Sequence, residues 1–451
     1  MERRLRILIL GLNYAPEPTG IAPYTTGMAR FLSEAGHDVH VITGLPHYPE
    51  WRVADGYRGR HTEERDGDIR VTRVWHPVPR QPTGKSRITL EAVFALQAAA
   101  VAGPRPDVVL AVSPALLTIA STLRWRSPGR TAVGVVVQDL YSRAIAETGA
   151  LGGRGARAAE RLERGLLRRA DGVVAIHESF RRSLVGLGVD GRRVTTIRNW
   201  THISDAVGDI TALRTRLGWC PEETVALHAG NMGAKQGLEN VLGAAELAER
   251  RGLPVRFVLL GTGNQRRRLE AEARGVDRVQ FVDPLPDGDF ETAMAAANVL
   301  LLNERPEVAE MCVPSKLTSY FAAGRPVVAA TSPRSAATSE VQDSGAGLCV
   351  TPGDPHALLD AVLTLSADEP ECLVMGARGR MYVKDHLTGE SARDAYLRWV
   401  DDLAGGVGSP ATRERKWRAA ERRVGSVEVV PQARPQADET AAQLVAAGED
   451  A

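Results

Sequence analysis

The chain predicts an α/β protein of two parallel-sheet domains that face a shared cleft, followed by a disordered C-terminal tail. Three observations lead there. Its 451 residues exceed what one hydrophobic core usually organises, so two substantial domains are expected. Short Val/Ile/Leu-rich runs alternate with amphipathic helical stretches, the pattern of parallel strands covered by helices on both faces. Hydrophobic residues at 43% and charged residues at 25% match a globular chain and exclude a disordered, fibrous or membrane-embedded one.

The first strand is RILILGL. The start has a basic head and an apolar run, as a signal peptide does, but the run over 5–12 is too short and lacks an Ala-x-Ala-like cleavage site. A helix over 24–35 stops at Gly36, and HDVHVITG completes a βαβ unit. IRVTRVW, PDVVLAVS, TAVGVVVQD, DGVVAIHE and RRVTTIRN continue the series, joined by helical segments such as 155–169. Residues 90–102 (LEAVFALQAAAVA) read either as a buried helix or as a segment dipping into a membrane face; no run reaches the roughly 18 apolar residues of a span. The periodicity lapses after Asn199 and resumes with TVALHAG, VRFVLLG, RVQFVDPL, NVLLLN and RPVVAAT. Domains are therefore expected over 1–203 and 204–388. A helix over 389–404 should pack back toward the first domain, and 405–451, Gly/Pro-rich and polar, should be a flexible tail. The tail's basic block around Trp417 reads as a solvated helix or as an anionic-membrane contact.

Charge narrows the function classes. Lys+Arg (56) balance Asp+Glu (55) to a net +1, so no global basic field points to nucleic acid, and any anion site must be local. Four cysteines, Cys220, Cys312, Cys349 and Cys372, form no CxxC and no disulfide framework, which fits a reducing cytosol.

The local candidates are loops at strand ends. Gly20 stands just ahead of the first helix, where backbone amides can meet an anion or simply make a turn. The same device recurs after TVALHAG, in the loop Gly230-Asn231-Met232-Gly233-Ala234-Lys235. There Lys235 either adds a point charge suited to a diphosphate leaving group or is an ordinary exposed lysine. The spacing is not that of a P-loop. Gly261 and Gly263 follow a strand without the third glycine of a dinucleotide fingerprint, leaving close approach to a nucleotide or a tight turn. In ERPEVAEMCVPSKLTSYFAAGRPVV, Pro314 opens a helix with Ser315 and Lys316 in its first turn, and Glu310 precedes it. These groups can bind phosphate and sugar hydroxyls, or serve as a cap with surface charges. Two Asp-Gly-Asp triplets, 66–68 and 287–289, could hold a metal-bound diphosphate but have the context of turns, so no metal site is assigned.

Together the segments PEPTGIAPYTTGMARFL, GLPHYPEWRV, VQDL, RNW, GNMGAKQGLENV, LLGTGNQRRRLE, VPSKLTSYFAAGRPVVA and SGAGLCVTPGDPHAL resemble, in order over roughly residues 5–400, a family 4 glycosyltransferase of the GT-B fold. Within that family the chain is most similar to the branch of the colanic acid biosynthesis glycosyltransferases. The resemblance implies two Rossmann-like domains, the acceptor bound by the first and a nucleoside diphosphate sugar by the second. It further implies a retaining, metal-independent hexosyl transfer without a cofactor. Lys235, Glu310 and Asp139 are then the expected catalytic residues. Gly20, Gly230, Asn231, Gly233, Gly261, Gly263, Pro314, Ser315, Lys316 and Ser319 are expected to bind the donor, and His47, Tyr48 and Trp51 the acceptor; for Asp139 and the His47–Trp51 loop, core or turn roles are the alternative. The chain departs from the family pattern in three places. The two glutamates common in the family align with Met311 and Ser319, with Glu310 one residue from the first. Asn231 stands where an arginine is frequent, and Gln138 where a histidine precedes the aspartate. The expected acceptor is a glycan or polyprenyl-linked glycan of exopolysaccharide or cell-envelope assembly, met in the cytoplasm with possible peripheral contact at the inner face of the cell membrane; no nucleic acid is expected. A catalytically weak nucleotide-sugar-binding protein and a nucleotide-sugar epimerase are the alternatives.

Overall fold

The computed structural model describes residues 4–80, 83–127, 129–142, 152–201, 208–286, 288–308 and 315–406. The first sheet contains β1 (Arg6–Leu10), β2 (Asp38–Gly44), β3 (His61–Asp66), β4 (Ile69–Val74), β5 (Val108–Val112), β6 (Ala132–Val137), β7 (Gly172–Ala175) and β8 (Val194–Thr196). Their order is β3-β4-β2-β1-β5-β6-β7-β8, parallel throughout except for β3. The second sheet contains β9 (Thr224–Ala229), β10 (Val255–Leu260), β11 (Val279–Val282), β12 (Val299–Asn303), β13 (Val327–Ala330) and β14 (Gly347–Val350). It is ordered β11-β10-β9-β12-β13-β14 and wholly parallel. Chain order reverses between β1 and β5 and between β9 and β12. Loops leaving the carboxyl ends of strands at such a point form a crevice that takes ligands.

Helices α1 (Ala22–Glu34), α2 (Gly84–Ala100), α3 (Leu116–Ser121), α4 (Gly152–Leu167) and α5 (Glu178–Gly186) accompany the first sheet. α6 (Ile210–Leu217), α7 (Glu239–Arg250), α8 (Arg266–Glu272), α9 (Asp289–Ala296), α10 (Lys316–Ala323), α11 (Ala336–Ser344), α12 (Pro355–Ser366) and α13 (Glu369–His386) accompany the second. The last helix, α14 (Gly389–Gly405), returns to the first sheet: Tyr396, Trp399, Val400 and Leu403 share a core with Ile7, Val108 and Val174. Sequence accounts for that fit. A Cβ on Gly134 of β6 would lie 2.6 Å from Trp399, and one on Gly172 of β7 would lie 2.8 Å from Leu403, so the two bare backbones make the seat for the helix. Truncating Trp399 would cost about 3–5 kcal/mol, as for other buried aromatics.

Several boundaries differ from the sequence reading. α2 begins at Gly84, not residue 90, because Thr83 and Ser86 form a reciprocal capping box upstream of the apolar run. β3 carries the polar sequence HTEERD at the sheet edge, where no hydrophobic alternation marks it. Asp66-Gly67-Asp68 is the turn of the β3–β4 hairpin, with Gly67 at φ 58°. The expected tail lies outside the described residues from 407 onward.

Candidate active site

The second sheet's half of the crevice is a pair of crossed loops. After β9, the Gly230 N–H donates to the Leu260 carbonyl (2.8 Å), the Met232 N–H to Thr262 (2.8 Å), and the Gln265 N–H to Met232 (3.0 Å). Gly261 and Gly263 have φ of 128° and 158°, and Cβ atoms there would stand 2.3 Å from the Gly230 oxygen and 2.4 Å from the Met232 oxygen. Both glycines are thus required for the loops to lie backbone to backbone, whether or not a ligand approaches. Lys316, in the first turn of α10, lays its Cε 3.2 Å from where a Gly230 Cβ would be, and its ammonium points at the Asn231 carbonyl.

The Lys235 turn is fixed from beneath. The Gln236 side chain accepts from the Gly233 N–H (3.0 Å). Buried Asn303, at the end of β12, donates to the Gln236 and Gly237 carbonyls (2.6 and 2.8 Å) and accepts from Asn240 of α7 (2.7 Å). The Lys235 carbonyl accepts from the Arg305 N–H (2.9 Å), while its side chain is exposed. α10 is tied to the same sheet by Tyr320, whose hydroxyl accepts from the Ala229 N–H (2.9 Å). Ser315 is exposed at its N-terminal end, and Ser319 is buried on its inner face. His228, fully buried under this loop, has its pKa pushed down to about 3 by burial and by Lys316, and so is neutral. Glu310 and Pro314 lie outside the described residues.

The first sheet's half centres on Asp139, just past β6. Its backbone carbonyl accepts from Ser113 (3.0 Å). Burial pushes its carboxyl up to about 6, against the pull of Lys235 and Arg87. Lys235 therefore lies within electrostatic reach of a carboxylate on the opposite sheet. Gln138 turns away and exchanges two amide hydrogen bonds with Asn199 (2.9 and 3.2 Å), so the position that holds histidine in the family pattern is spent here on the strand ends. Tyr24 of α1 faces Thr318 of α10, a second contact across the crevice.

The loop carrying His47, Tyr48 and Trp51 is organised by a residue that the sequence reading passed over. Buried Glu17 accepts from the backbone N–H groups of His47 (2.8 Å) and Tyr48 (2.9 Å) through one oxygen and from Asn13 (2.8 Å) through the other. Tyr48 lies against Gly20, whose Cβ would be 3.1 Å from its ring. His47 is 3% exposed, with Nδ1 on the Leu45 carbonyl (2.9 Å), and its ring buttresses Trp51. Tyr48 and Trp51 are only partly buried. Nothing in the sequence distinguishes Glu17 from a loop glutamate except its place between two prolines.

A third cluster joins the sheets at their far strands. Glu340 of α11, 5% exposed, accepts from His177 Nε2 (3.2 Å) and pairs closely with Arg198, which also donates to Tyr382 (2.7 Å). The Ser179 N–H donates to His177 Nδ1 (3.1 Å), which fixes the ring proton on Nε2. Burial would raise the Glu340 carboxyl, but His177, Arg198 and Tyr382 outweigh it and hold it below its ordinary value. One aspartate of each Asp-Gly-Asp triplet is otherwise engaged. Asp66 accepts from Tyr14 (2.9 Å) and Arg30 (3.0 Å), Asp289 pairs with Arg216, and Asp287 lies outside the described residues. Among the described residues no group of three His, Cys, Asp or Glu could hold a metal ion.

Comparisons with known proteins show the family and the fold. A model of the glycosyl transferase 4-like domain matches residues 19–200, and one of the glycosyl transferases group 1 matches residues 223–368. A protein of Escherichia coli named as a colanic acid biosynthesis glycosyl transferase, WcaI, is 32% identical over 85% of this chain and 94% of its own. Sucrose-phosphate synthase from Thermosynechococcus elongatus superposes with a TM-score of 0.68 at 19% identity, covering 89% of this chain and 99% of that one. Anabaena HepE in complex with UDP-glucose does so at 0.62 and 17%, covering 88% and 100%. The crevice lies between the two sheets of a GT-B fold, and the chain belongs to the family 4 glycosyltransferases.

Proposed function

We propose that this glycosyltransferase moves a sugar from a nucleoside diphosphate sugar to a hydroxyl of a lipid-linked glycan in exopolysaccharide or cell-envelope assembly, retaining anomeric configuration and using neither metal nor cofactor. The observation that carries this reading is the opposition of Asp139 and Lys235 across the crevice, with Lys316 in the first turn of α10 against the Gly230 loop. A HepE structure holding UDP-glucose shares the fold, and a relative named for colanic acid biosynthesis shares most of the chain.

In this reading the donor diphosphate lies on the Gly230–Gly233 loop and at the N-terminal end of α10, with Ser315 and Ser319 toward the nucleoside. As the bond from the anomeric carbon to the diphosphate oxygen breaks, its electron pair goes to the leaving group. Lys235, Lys316 and helix amides stabilise the charge that grows there. The acceptor oxygen bonds to the same face of that carbon, and its proton passes to the departing phosphate oxygen, so no separate base is needed. Asp139, largely ionised above pH 6, accepts a hydrogen bond from a sugar hydroxyl and orients it. The two lysines supply the positive charge a metal would otherwise bring, and Asp66 and Asp289 already have cationic partners.

Membrane-anchored acceptor suits the outer face of the first domain. No helix among the described residues is long and apolar enough to cross a membrane. Leu96, Leu123 and Leu162, on neighbouring elements, are 73%, 48% and 44% exposed, and Arg154, Arg157, Arg161 and Arg164 stand exposed at helical spacing along α4, with Arg168 exposed just past its end. Such a surface fits peripheral attachment to the anionic inner leaflet. A panel of nucleotide sugars, incubated with and without EDTA and read by mass spectrometry of acceptor products, tests the proposal. Transfer from one donor, intact in EDTA, is expected. A product seen only with added manganese would reject metal independence, and sugar isomerisation without acceptor would reject transfer.

A further inference from the structure

Trp51 is the one non-glycine residue with positive φ (53°) among the described residues. A left-handed backbone is costly for a bulky side chain, and such outliers persist where surrounding structure enforces them, often at ligand sites. Here the enforcement is visible. Glu17 clamps the N–H groups of His47 and Tyr48, and the turn is closed by the Ala54 N–H on the Pro46 carbonyl (2.8 Å).

That conformation places the indole beneath a cation. The guanidinium of Arg87 lies 5.0 Å from the Trp51 ring centroid, and Arg87 sits in the first turn of α2, anchored by the Thr83–Ser86 capping box. Arg87 is exposed, and no carboxylate among the described residues pairs with it at ion-pair distance. Its charge reaches Asp139, Glu91 and Tyr141, so it lies on the first sheet's side of the crevice, within electrostatic range of Asp139. Stacking covers one face of the guanidinium and leaves its N–H edge available, the geometry that takes a phosphoryl group bidentately. Lys235 and Lys316 hold the donor side, so an anion at Arg87 belongs to the other substrate.

We propose that Arg87, held on Trp51, binds a phosphoryl ester group carried by the acceptor. The proposal rests on the glycosyl-transfer reading and narrows its acceptor to a phosphorylated one. The test is calorimetric titration of the full chain, saturated with UDP, with geranyl phosphate, inorganic phosphate and geraniol. The parent should bind geranyl phosphate at least tenfold more tightly than either fragment. Arg87→Ala should lose about tenfold or more, and Arg87→Lys, which keeps the charge but not the fork, should fall between. The affinity of each variant for UDP, measured separately, should match the parent and so shows that the variant is folded. Equal binding of geranyl phosphate by Arg87→Ala and parent overturns the proposal, as does a parent that binds geraniol or inorganic phosphate equally well. Failure of the parent to bind any nucleoside diphosphate would instead strike the underlying transfer reading.

Discussion

Replacing Asp139 with asparagine separates what this residue does for the reaction from what it does to the fold. Burial raises its carboxyl, and Lys235 and Arg87 pull it partway back, so that 3.8 becomes about 6. At about 1.4 kcal/mol per tenfold change in proton affinity, holding the charge at pH 8 costs the folded chain on the order of 3 kcal/mol. The side chain keeps part of its surface open to solvent, which brings the expected cost to about 1–3 kcal/mol. The folded chain binds the proton more tightly than the unfolded chain does. Asp139 therefore contributes its full stability below about pH 4, and that contribution is lost as pH rises through about 6. Asparagine is neutral at every pH and suffers no such loss.

Asp139→Asn should consequently match the parent in urea unfolding near pH 4 and exceed it by about 1–3 kcal/mol at pH 8, with the denaturant slope unchanged. Transfer should fall by roughly tenfold or more, since the amide replaces a charged acceptor of hydrogen bonds with a neutral one. Greater stability with less activity is the mark of a charge kept for function. A variant less stable than the parent at pH 8, or a gain as large at pH 4, refutes the burial argument. Unchanged transfer refutes the role in the reaction.

Lys235→Ala should lower turnover roughly a hundredfold, the scale of one lost donor to a developing oxyanion, while moving unfolding free energy by less than about 0.5 kcal/mol. Because Lys235 lowers the Asp139 pKa, the acid limb of the remaining pH–rate profile should shift upward. Glu340→Ala strands buried His177 and its neighbour Arg198 and should destabilise the chain by about 3–5 kcal/mol in denaturant titration. The lowered Glu340 pKa makes the parent's contribution from this cluster present above about pH 4.5 and lost on acidification below it, so the gap between parent and variant should narrow there. In liposome flotation, neutralising Arg154, Arg157 and Arg161 with glutamine should weaken binding to anionic vesicles roughly a hundredfold, at about 1 kcal/mol per arginine. Recovery that is equal on neutral vesicles and indifferent to salt would count against membrane attachment.

What could be read from the sequence, and what could not, divides along the range of the interactions involved. β1, β5, β6, β9, β10 and β12 announce themselves because strands buried on both faces read as near-continuous apolar runs, and the Gly230–Lys235 loop shows its chemistry in consecutive residues. β3 stays hidden because an edge strand with one solvated face needs no apolar run. The glycines show the harder limit. Gly134 and Gly172 look like flaws in two strands until Trp399, more than two hundred residues later, lies down on them. Gly261 and Gly263 read in the sequence as close approach to a nucleotide or as a tight turn, and only the fold shows the Gly230 and Met232 carbonyls against them. Glu17 and Arg87 fail to stand out for the same reason, and Trp51 shows in the sequence only as an aromatic of a candidate acceptor loop: the clamp, the left-handed turn and the stacked cation are assembled from three separate segments. The proposed acceptor side of the crevice is built by tertiary contacts, whereas the proposed donor loop is local in sequence. A sequence can thus state that a sugar is transferred more readily than it can state to what.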